Sequence, residues 1–324
     1  MEFLLFDFLG QPLWMWLGFM SLVAALLALD LGVFHRGSRE IGVAESLALS
    51  SFYIAAGLAF GGYVWWQIGQ QAGIEYLTGF VVEKSLAMDN IFVIALIFGY
   101  FAVPRLYQHR VLFWGILGVI VLRAIMIGFG AALVAEYGWI LYLFAAFLIL
   151  TGIKMLWWSD HEIDLSSNPL LLFVRRRLNV TDRLHGEAFF VRQPTASGKM
   201  ATFATPLFLA LVMIEVADVI FAVDSVPAIF AITTDPFIVY TSNIFAILGL
   251  RALYFALAAV IHRFAYLKHA LAVLLVFIGS KIFVGDLFGL TKFPPEWALG
   301  VSFSILALCV GYSLWRTRKP AVEA

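Results

Sequence analysis

The sequence predicts an all-α polytopic membrane protein with about nine transmembrane helices. Its 324 residues are 63% hydrophobic and only 13% charged, with a mean hydropathy of +0.95, whereas a soluble domain carries about 25% charged residues. The apolar residues also fall into separate runs of the roughly 20 residues that a helix needs to cross a bilayer. The partner that this composition implies is the lipid bilayer.

The predicted spans follow one another along the whole chain. The first span has no basic segment and no small-residue cleavage site before it, so we expect a retained helix and not a removed signal peptide. The nine spans lie at about 13–34, 43–68, 75–101, 111–135, 139–158, 203–231, 237–261, 268–287 and 296–315.

Basic residues predict the orientation of these spans. Fifteen lysines and arginines fall after spans one, three, five and seven and in the tail, whereas the alternate connections hold only Lys292. Cytoplasmic loops are enriched in Lys and Arg, which places the N-terminus outside and the C-terminus in the cytoplasm. The fifteen are Arg36, Arg39, Arg105, Arg110, Arg175, Arg176, Arg177, Arg183, Arg192, Lys199, Arg263, Lys268, Arg316, Arg318 and Lys319.

One sizeable polar connection divides the chain into halves. Residues 159–202 carry both charge signs and two prolines, which is typical of a cytoplasmic linker. We expect a short amphipathic helix near 170–178 within it; a regulatory or partner-binding role is the alternative. The other predicted units are two N-terminal helices (1–72), a first three-helix repeat (73–158), a second three-helix repeat (203–288) and a last helix with a basic tail (289–324).

Charged landmarks recur in the same order in the two three-helix units. A unit with an odd number of spans must enter the membrane from the opposite side when it recurs. The pattern therefore predicts an inverted repeat, a plan common among secondary transporters, which place the ion site near the midplane. The matched residues are Glu83 and Asp89 with Asp218 and Asp224 (offset 135), Arg123 with Arg251 (offset 128), and Lys154 with Lys281 (offset 127).

Carboxylates lie inside these apolar spans, where an ionised group costs at least a few kcal/mol and is usually kept for function. Each motif has an acid, five residues, an aspartate and then a small polar residue. The spacing of six places the two acids about 120° apart on a helix, and Glu215 shares a helix face with Asp218. The candidate metal-binding residues are Glu83, Asp89, Asn90, Glu215, Asp218, Asp224 and Ser225.

Bases in the same spans support a second interpretation, in which the acids are neutralised ion-pair partners. Arg123 and Arg251 lie mid-span and need partners, and Lys154 can extend to the membrane interface. Asp30 lies near the end of span one and is the weakest site candidate. The expected ion-pair or gating residues are Asp30, Lys84, Arg123, Lys154, Arg251 and Lys281.

The residue types predict the cargo. Carboxylate, amide and carbonyl oxygens favour hard divalent ions such as Mg²⁺, Ca²⁺ and Mn²⁺. The six histidines lie in loops or at helix ends, which argues against zinc, copper and nickel. Pro227 removes a helical hydrogen bond, so we also expect freed carbonyls near Val223. Met88 and Met213 neighbour the acids, and a soft thioether ligand would favour Mn²⁺.

Several classes are disfavoured. The net charge of zero gives no basic patch for nucleic acid, and the single Cys309 cannot form an internal disulfide. The chain has no metal-hydrolase or nucleophile motif, so we expect no enzyme activity and no tightly bound cofactor. Protons are a candidate counter-ion, because burial favours the neutral form of a carboxyl group that has released its metal. The oligomeric state stays open.

These motifs resemble the TerC family of bacterial membrane proteins, and its Alx branch in particular. The resemblance extends over nearly the whole chain and includes both acid motifs without departure. The matching segments are EKSLAMDNIFV (83–93), EAFFVR (187–192), DVIFAVDSVPAIFA (218–231), TTDPFIV (233–239) and TSNIFAILGLRA (241–252).

The resemblance implies a bacterial inner-membrane protein that exports manganese from the cytoplasm, with Mn²⁺ as the transported substrate. It carries the family's acids onto the two motifs and onto Glu215, and it adds Asn243 as a ligand or gating residue. Two alternatives remain. One is a small-solute or lysine-type exporter whose acids bind an ammonium group. The other is a non-transporting scaffold linked to tellurite resistance or redox homeostasis.

Overall fold

The computed structural model describes residues 2–30, 42–157, 171, 179–194, 200–257, 267–288 and 294–316. Within these residues the chain is an all-α polytopic membrane protein, which confirms the predicted class. The helices are α1 (Leu13–Leu29), α2 (Val43–Gln67), α3 (Gln70–Tyr100), α4 (Arg105–Glu136), α5 (Ile140–Trp157), α6 (Pro206–Phe230), α7 (Pro236–Leu248), α8 (Leu250–Leu257), α9 (Leu267–Leu287) and α10 (Pro295–Arg316).

Seven spans in the described part of the chain are long and apolar enough to cross a membrane, with α7 and α8 forming a single span, Pro236–Leu257. The two remaining predicted spans differ for separate reasons. Helix α1 is apolar but has only 17 residues. Helix α3 has 31 residues but carries Glu83, Lys84 and Asp89 in its middle. The count of nine and the orientation stay predictions.

The outer surface of the bundle is apolar. Large side chains such as Trp66, Leu287 and Leu308 are 72–81% exposed, and a patch of this kind would be unfavourable in water. The same surface is satisfied by lipid, where helices complete their own backbone hydrogen bonds. The exposed side chains therefore mark the face that meets the bilayer.

The span formed by α7 and α8 is the centre of the bundle, and nearly all of its residues are buried. Its start is fixed by Asp235, whose carboxylate accepts hydrogen bonds from the Phe237 amide (2.8 Å) and the Ile238 amide (3.3 Å), with Pro236 at the first helical position. Helices α2, α3 and α4 pack around it. Motifs on α3 and α4 are thereby held against a rigid core.

Helices α5 and α9 cross closely through two glycines. A Cβ atom added at Gly152 would lie 2.6 Å from the Ala272 carbonyl oxygen, and one added at Gly279 would lie 2.6 Å from the Ala145 carbonyl oxygen. The two contacts are reciprocal, because an offset of 127 converts one into the other. Such reciprocity is what a two-fold relation requires, while the inverted repeat itself stays a prediction.

The central span contains a helix break. Helix α6 continues through Pro227, whereas the central span breaks at Gly249, between α7 and α8. The Lys84 ammonium donates to the Ala246 carbonyl oxygen at 2.9 Å, and a Cβ atom at Gly249 would lie 2.9 Å from the same nitrogen. A lysine from α3 therefore occupies the space beside this glycine.

Two short antiparallel hairpins were not expected from the sequence. They are β1 (Asp7–Phe8) with β2 (Gln11–Pro12), and β3 (Phe190–Pro194) with β4 (Met200–Ala204). Exposed and half-buried residues alternate along β3, as in a strand with one solvated face. Strand β4 crosses the predicted boundary at 202. The helix predicted near 170–178 lies outside the described residues, except for Leu171.

Candidate ion site

The predicted acid motifs of the two halves meet at Arg123. This guanidinium, on α4, is 1% exposed. Its Nη1 donates to Glu83 Oε1 on α3 at 2.6 Å and to the Ser225 hydroxyl on α6 at 2.8 Å. Its Nε and Nη2 donate to the two oxygens of Asp218 on α6, each at 3.2 Å. The fork of an arginine is well suited to this bidentate arrangement.

Two carboxyl groups share the single guanidinium of Arg123. When both are ionised, Glu83 and Asp218 outweigh it by one negative charge. Glu83 Oε2 is buried and has no hydrogen-bond partner among the described residues. A buried carboxylate oxygen without a partner is costly, so this oxygen is a position where a bound cation would be stabilised.

A cavity of about 450 Å³ lies beside the cluster. Asp224 faces it and accepts a long hydrogen bond, 3.4 Å, from the Thr151 hydroxyl on α5. Lys154, one turn further along α5, supplies a positive charge to the same carboxylate. The polar residues that line this cavity are Glu83, Asn90, Arg123, Thr151, Lys154, Asp224 and Ser225.

Asn90 links this cavity to a second one. The second cavity is small, about 30 Å³, and is lined by Asp218, Arg251 and mostly apolar side chains. Asn90 and Phe221 border both cavities. The amide of Asn90 therefore lies between the carboxylates that Arg123 binds and the second intramembrane arginine.

Arg251 belongs to a different cluster from Arg123. It forms an ion pair with Asp30, which lies at the end of α1, and both side chains are buried. The Tyr53 hydroxyl on α2 also hydrogen bonds to Asp30. Asp30 thus connects the N-terminal helices to the second unit and does not face the large cavity.

Of the other predicted residues with a described side chain, three do not join the Arg123 cluster. Glu215 packs against Gly118 on α4, where a Cβ atom would collide with its carboxylate, and it does not line the large cavity. Asn243 is fully buried, and neither polar atom of its side chain has a hydrogen-bond partner among the described residues. Asp89 lies on α3, but its side chain is outside the described part of the structure. Lys281 lines a separate cavity at the far end of α9.

The acids whose side chains are described do not form a compact chelate. Among the described side chains, no group of three or more His, Cys, Asp or Glu residues is arranged to hold a metal ion. The reason is visible in the geometry, because Arg123 separates Glu83 from Asp218 and contacts both. A cation entering from the large cavity would share these carboxylates with the guanidinium.

The sequence did not identify Thr151, Tyr53 or Gly118 as parts of these clusters. Thr151 had a usable signal, since it directly precedes the Gly152 landmark of the repeat. Tyr53 and Gly118 gave none, because their partners, Asp30 and Glu215, lie on other helices and no local pattern encodes contacts between helices.

Comparisons with known proteins identify the family. A family model described as "Integral membrane protein TerC family" matches residues 68–321. The chain belongs to the TerC family. The match includes Arg123 and all three acids at the large cavity and in the arginine cluster, and it leaves out α1 with Asp30.

Relatives cover the chain almost end to end. Membrane protein STKORF319 of Myxococcus xanthus is 45% identical over 313 residues, covering 97% of this chain and 95% of its own. Alx of Escherichia coli K12, described as a membrane-bound redox modulator, is 46% identical over 315 residues, covering 94% and 95%. A membrane protein of Rickettsia bellii is 45% identical over 301 residues, covering 93% and 97%. No solved structure matches.

Proposed function

We propose that this TerC protein exports a hard divalent cation across the bacterial inner membrane, with Mn²⁺ as the first candidate. The observation that carries the proposal is a group of three intramembrane carboxylates, two bound by one arginine and the third at the adjoining cavity. Glu83 and Asp224 share the large cavity, and Arg123 joins Glu83 to Asp218. Intramembrane acids that face a water-filled cavity are typical of ion pathways.

The chemistry of the lining supports a hard cation. The available donors are carboxylates, the Asn90 amide and the Thr151 and Ser225 hydroxyls, which suit oxygen-seeking ions. The described part of the cavity lining includes no histidine or cysteine. The preference for Mn²⁺ over Ca²⁺ and Mg²⁺ comes from the family resemblance.

Arg123 gives the site a built-in competing cation. It bridges Glu83 and Asp218 in a buried place, which avoids the cost of leaving a charge there without a partner. A divalent ion approaching Glu83 from the large cavity is attracted by the surplus negative charge and repelled by the guanidinium. Binding would therefore require Arg123 to release one carboxylate, and release of the ion would allow it to return.

Export needs a source of energy. Moving two charges out against an inside-negative potential costs about 4.6 kcal/mol per 100 mV. Carboxylates that lose a metal can take up protons when buried, so proton return is the coupling that these residues can supply. Asp224 is the residue best placed for this exchange, because Arg123 pairs with Glu83 and Asp218 instead.

The alternatives remain distinguishable. A small-solute exporter would place an ammonium group at the same acids, and the cavity has room for one. A scaffold role is consistent with the description of the E. coli relative as a redox modulator. A direct thiol mechanism is disfavoured, because one cysteine gives no internal dithiol pair; a redox effect would act through metal supply.

Cellular manganese content tests the proposal. Cells that lack the protein should accumulate more Mn²⁺ under manganese stress than cells that express it, and an expressed Asp224→Asn variant should not restore the lower level. Reconstituted vesicles loaded with Mn²⁺ should lose it faster under an opposing pH gradient. Equal manganese content in all strains, with no flux in vesicles, would favour the scaffold. Flux of lysine that Mn²⁺ does not inhibit would favour the solute exporter.

A further inference from the structure

A second charged cavity lies at the opposite end of the α5–α9 pair from the large one. Its volume is about 240 Å³, and its polar lining includes Glu75, Lys281, Tyr142 and Asp286. Glu75 and Lys281 are buried at 4% and 6% exposure, and Tyr142 hydrogen bonds to Asp286. Buried charged side chains in a membrane protein are usually kept for function.

The two cavities occupy opposite ends of the same helices. On α5, Tyr142 lines the 240 Å³ cavity and Thr151 lines the large one, and the two residues lie about 13 Å apart along the helix axis. On α9 the order is reversed, with Leu271 at the large cavity and Lys281 at the other. Since α5 and α9 run in opposite directions along each other, both helices place the same cavity at the same end.

A buried apolar layer separates the two cavities on each described helix that borders both. Five side chains of one apolar cluster, each at most 1% exposed, form this layer, which we call the plug: Val82, Leu148, Ala228, Leu274 and Ile278. Along α3 the order is Glu75, Val82, Glu83; along α6 it is Ser225, Ala228, Phe230. The plug therefore interrupts a line of polar residues that otherwise continues from one end of the bundle to the other.

We propose that the 240 Å³ cavity is the opposite vestibule of the cation path and that the plug is its closed gate. This inference rests on the proposed function, since it gives the exported ion its second half of the route. In this structure the closed plug separates the two cavities, so the carboxylates at Arg123 are reached from the large cavity alone. Glu75 and Asp286 would receive the cation after it passes the plug.

The lysines support this assignment. Lys154 lies in the large cavity near Asp224, and Lys281, its match at an offset of 127, lies in the opposite cavity with Glu75. Each vestibule thus pairs acids with one lysine, which repels a cation that is not bound by the carboxylates.

Thiol accessibility tests the two-sided path without depending on the identity of the cargo. In a Cys309→Ala background, cysteine is placed at Ile282 in the second vestibule, at Thr151 in the large cavity and at Leu148 in the plug. A charged, membrane-impermeant thiol reagent should modify Ile282→Cys from one face of the membrane only and Thr151→Cys from the opposite face only. Both should react at least about tenfold faster than Leu148→Cys, because only a hydrated thiol forms the thiolate.

Val273→Cys serves as the matched control, since this side chain is 42% exposed on the outer surface of α9 and faces lipid. It should remain unmodified by the charged reagent. Modification of Ile282→Cys no faster than of Leu148→Cys, or from the same face as Thr151→Cys, overturns the vestibule assignment. In that case, Mn²⁺ efflux by the Cys309→Ala protein in parallel vesicles would leave the proposed function intact. The expected labelling without Mn²⁺ efflux by that protein would reject the cargo alone.

A shortened plug residue gives a second, independent readout. Leu148→Ala should connect the two cavities and let divalent cations leak down their gradient without a pH gradient, while Val273→Ala should leave the vesicles tight. Vesicles with Leu148→Ala that stay as tight as wild type, despite a folded protein by circular dichroism, contradict the gate.

Discussion

The two intramembrane arginines are equivalent in the predicted repeat and differ in what surrounds them. Arg123 binds Glu83 and Asp218, one acid from each predicted half, beside a cavity of about 450 Å³. Arg251 binds Asp30, which lies on α1 and outside both halves. The first cluster places two carboxyl groups on one guanidinium and borders the large cavity, whereas the second includes a 1:1 ion pair that joins the N-terminal helices to the core.

The difference separates function from support within one chemical type. A buried arginine needs a carboxylate wherever it lies, so its presence alone does not mark a site. What distinguishes the Arg123 cluster is the second carboxyl group, the buried Glu83 oxygen without a hydrogen-bond partner among the described residues and the position beside the large cavity. The Arg251 cluster includes Tyr53 as a further hydrogen-bond donor to Asp30, as a structural tie would.

The largest expected effect is on Asp224, which faces the cavity without an arginine. Asp224→Asn should lower Mn²⁺ efflux at least roughly tenfold, because losing one anionic ligand of a divalent ion removes more than about 1.4 kcal/mol of attraction. Folding should survive, since no ion pair to an arginine is lost. Flux from reconstituted vesicles measures this, with Glu296→Gln at the exposed start of α10 as control. Equal flux in both variants would remove Asp224 from the path.

An effect on stability is expected at Asp30. Asp30→Asn leaves Arg251 without its buried carboxylate, and breaking such a pair costs about 3 kcal/mol. The midpoint of thermal unfolding in detergent should fall, while efflux per folded molecule stays near the wild-type value. A variant with normal stability and lost efflux would place Asp30 in the cation path and erase the contrast between the two clusters.

The smallest effect is expected at Glu215, which packs against Gly118 away from the large cavity. Glu215→Gln should keep more than about half of the wild-type efflux, since the substitution preserves shape and removes an acid that does not line the path. Initial rates in vesicles at two pH gradients measure it. A loss as large as that of Asp224→Asn would show that Glu215 carries the coupling proton.

The helices were predictable because the membrane imposes a length and a composition on them. Spans such as 43–68 agree with the observed Val43–Gln67, and the acid motifs stood out against an apolar background. The pairing of charges was not predictable from spacing. Arg123 could have met any of six acids, and only the packing of α4 against α6 brings it to Asp218.

Other features were hidden for physical reasons. The hairpin of β3 and β4 lies in a polar linker, where the hydropathy signal used for the spans is absent. The helix break at Gly249, where Lys84 fills the space beside the glycine, was not predicted. Helix α6 continues through Pro227, because a proline removes one hydrogen bond without ending a well-packed helix. The 240 Å³ cavity depends on contacts between helix ends, which no local pattern encodes.

Conservative replacement of the two arginines tests the central claim most directly. Lysine keeps the charge but cannot bind two carboxylates through a planar fork. In reconstituted vesicles, Arg123→Lys should lose most Mn²⁺ efflux, and Arg251→Lys should retain most of it per folded molecule, with folding checked by thermal unfolding of each variant. Equal efflux from the two variants, or loss confined to Arg251→Lys, would contradict the assignment of the cation path to the Arg123 cluster.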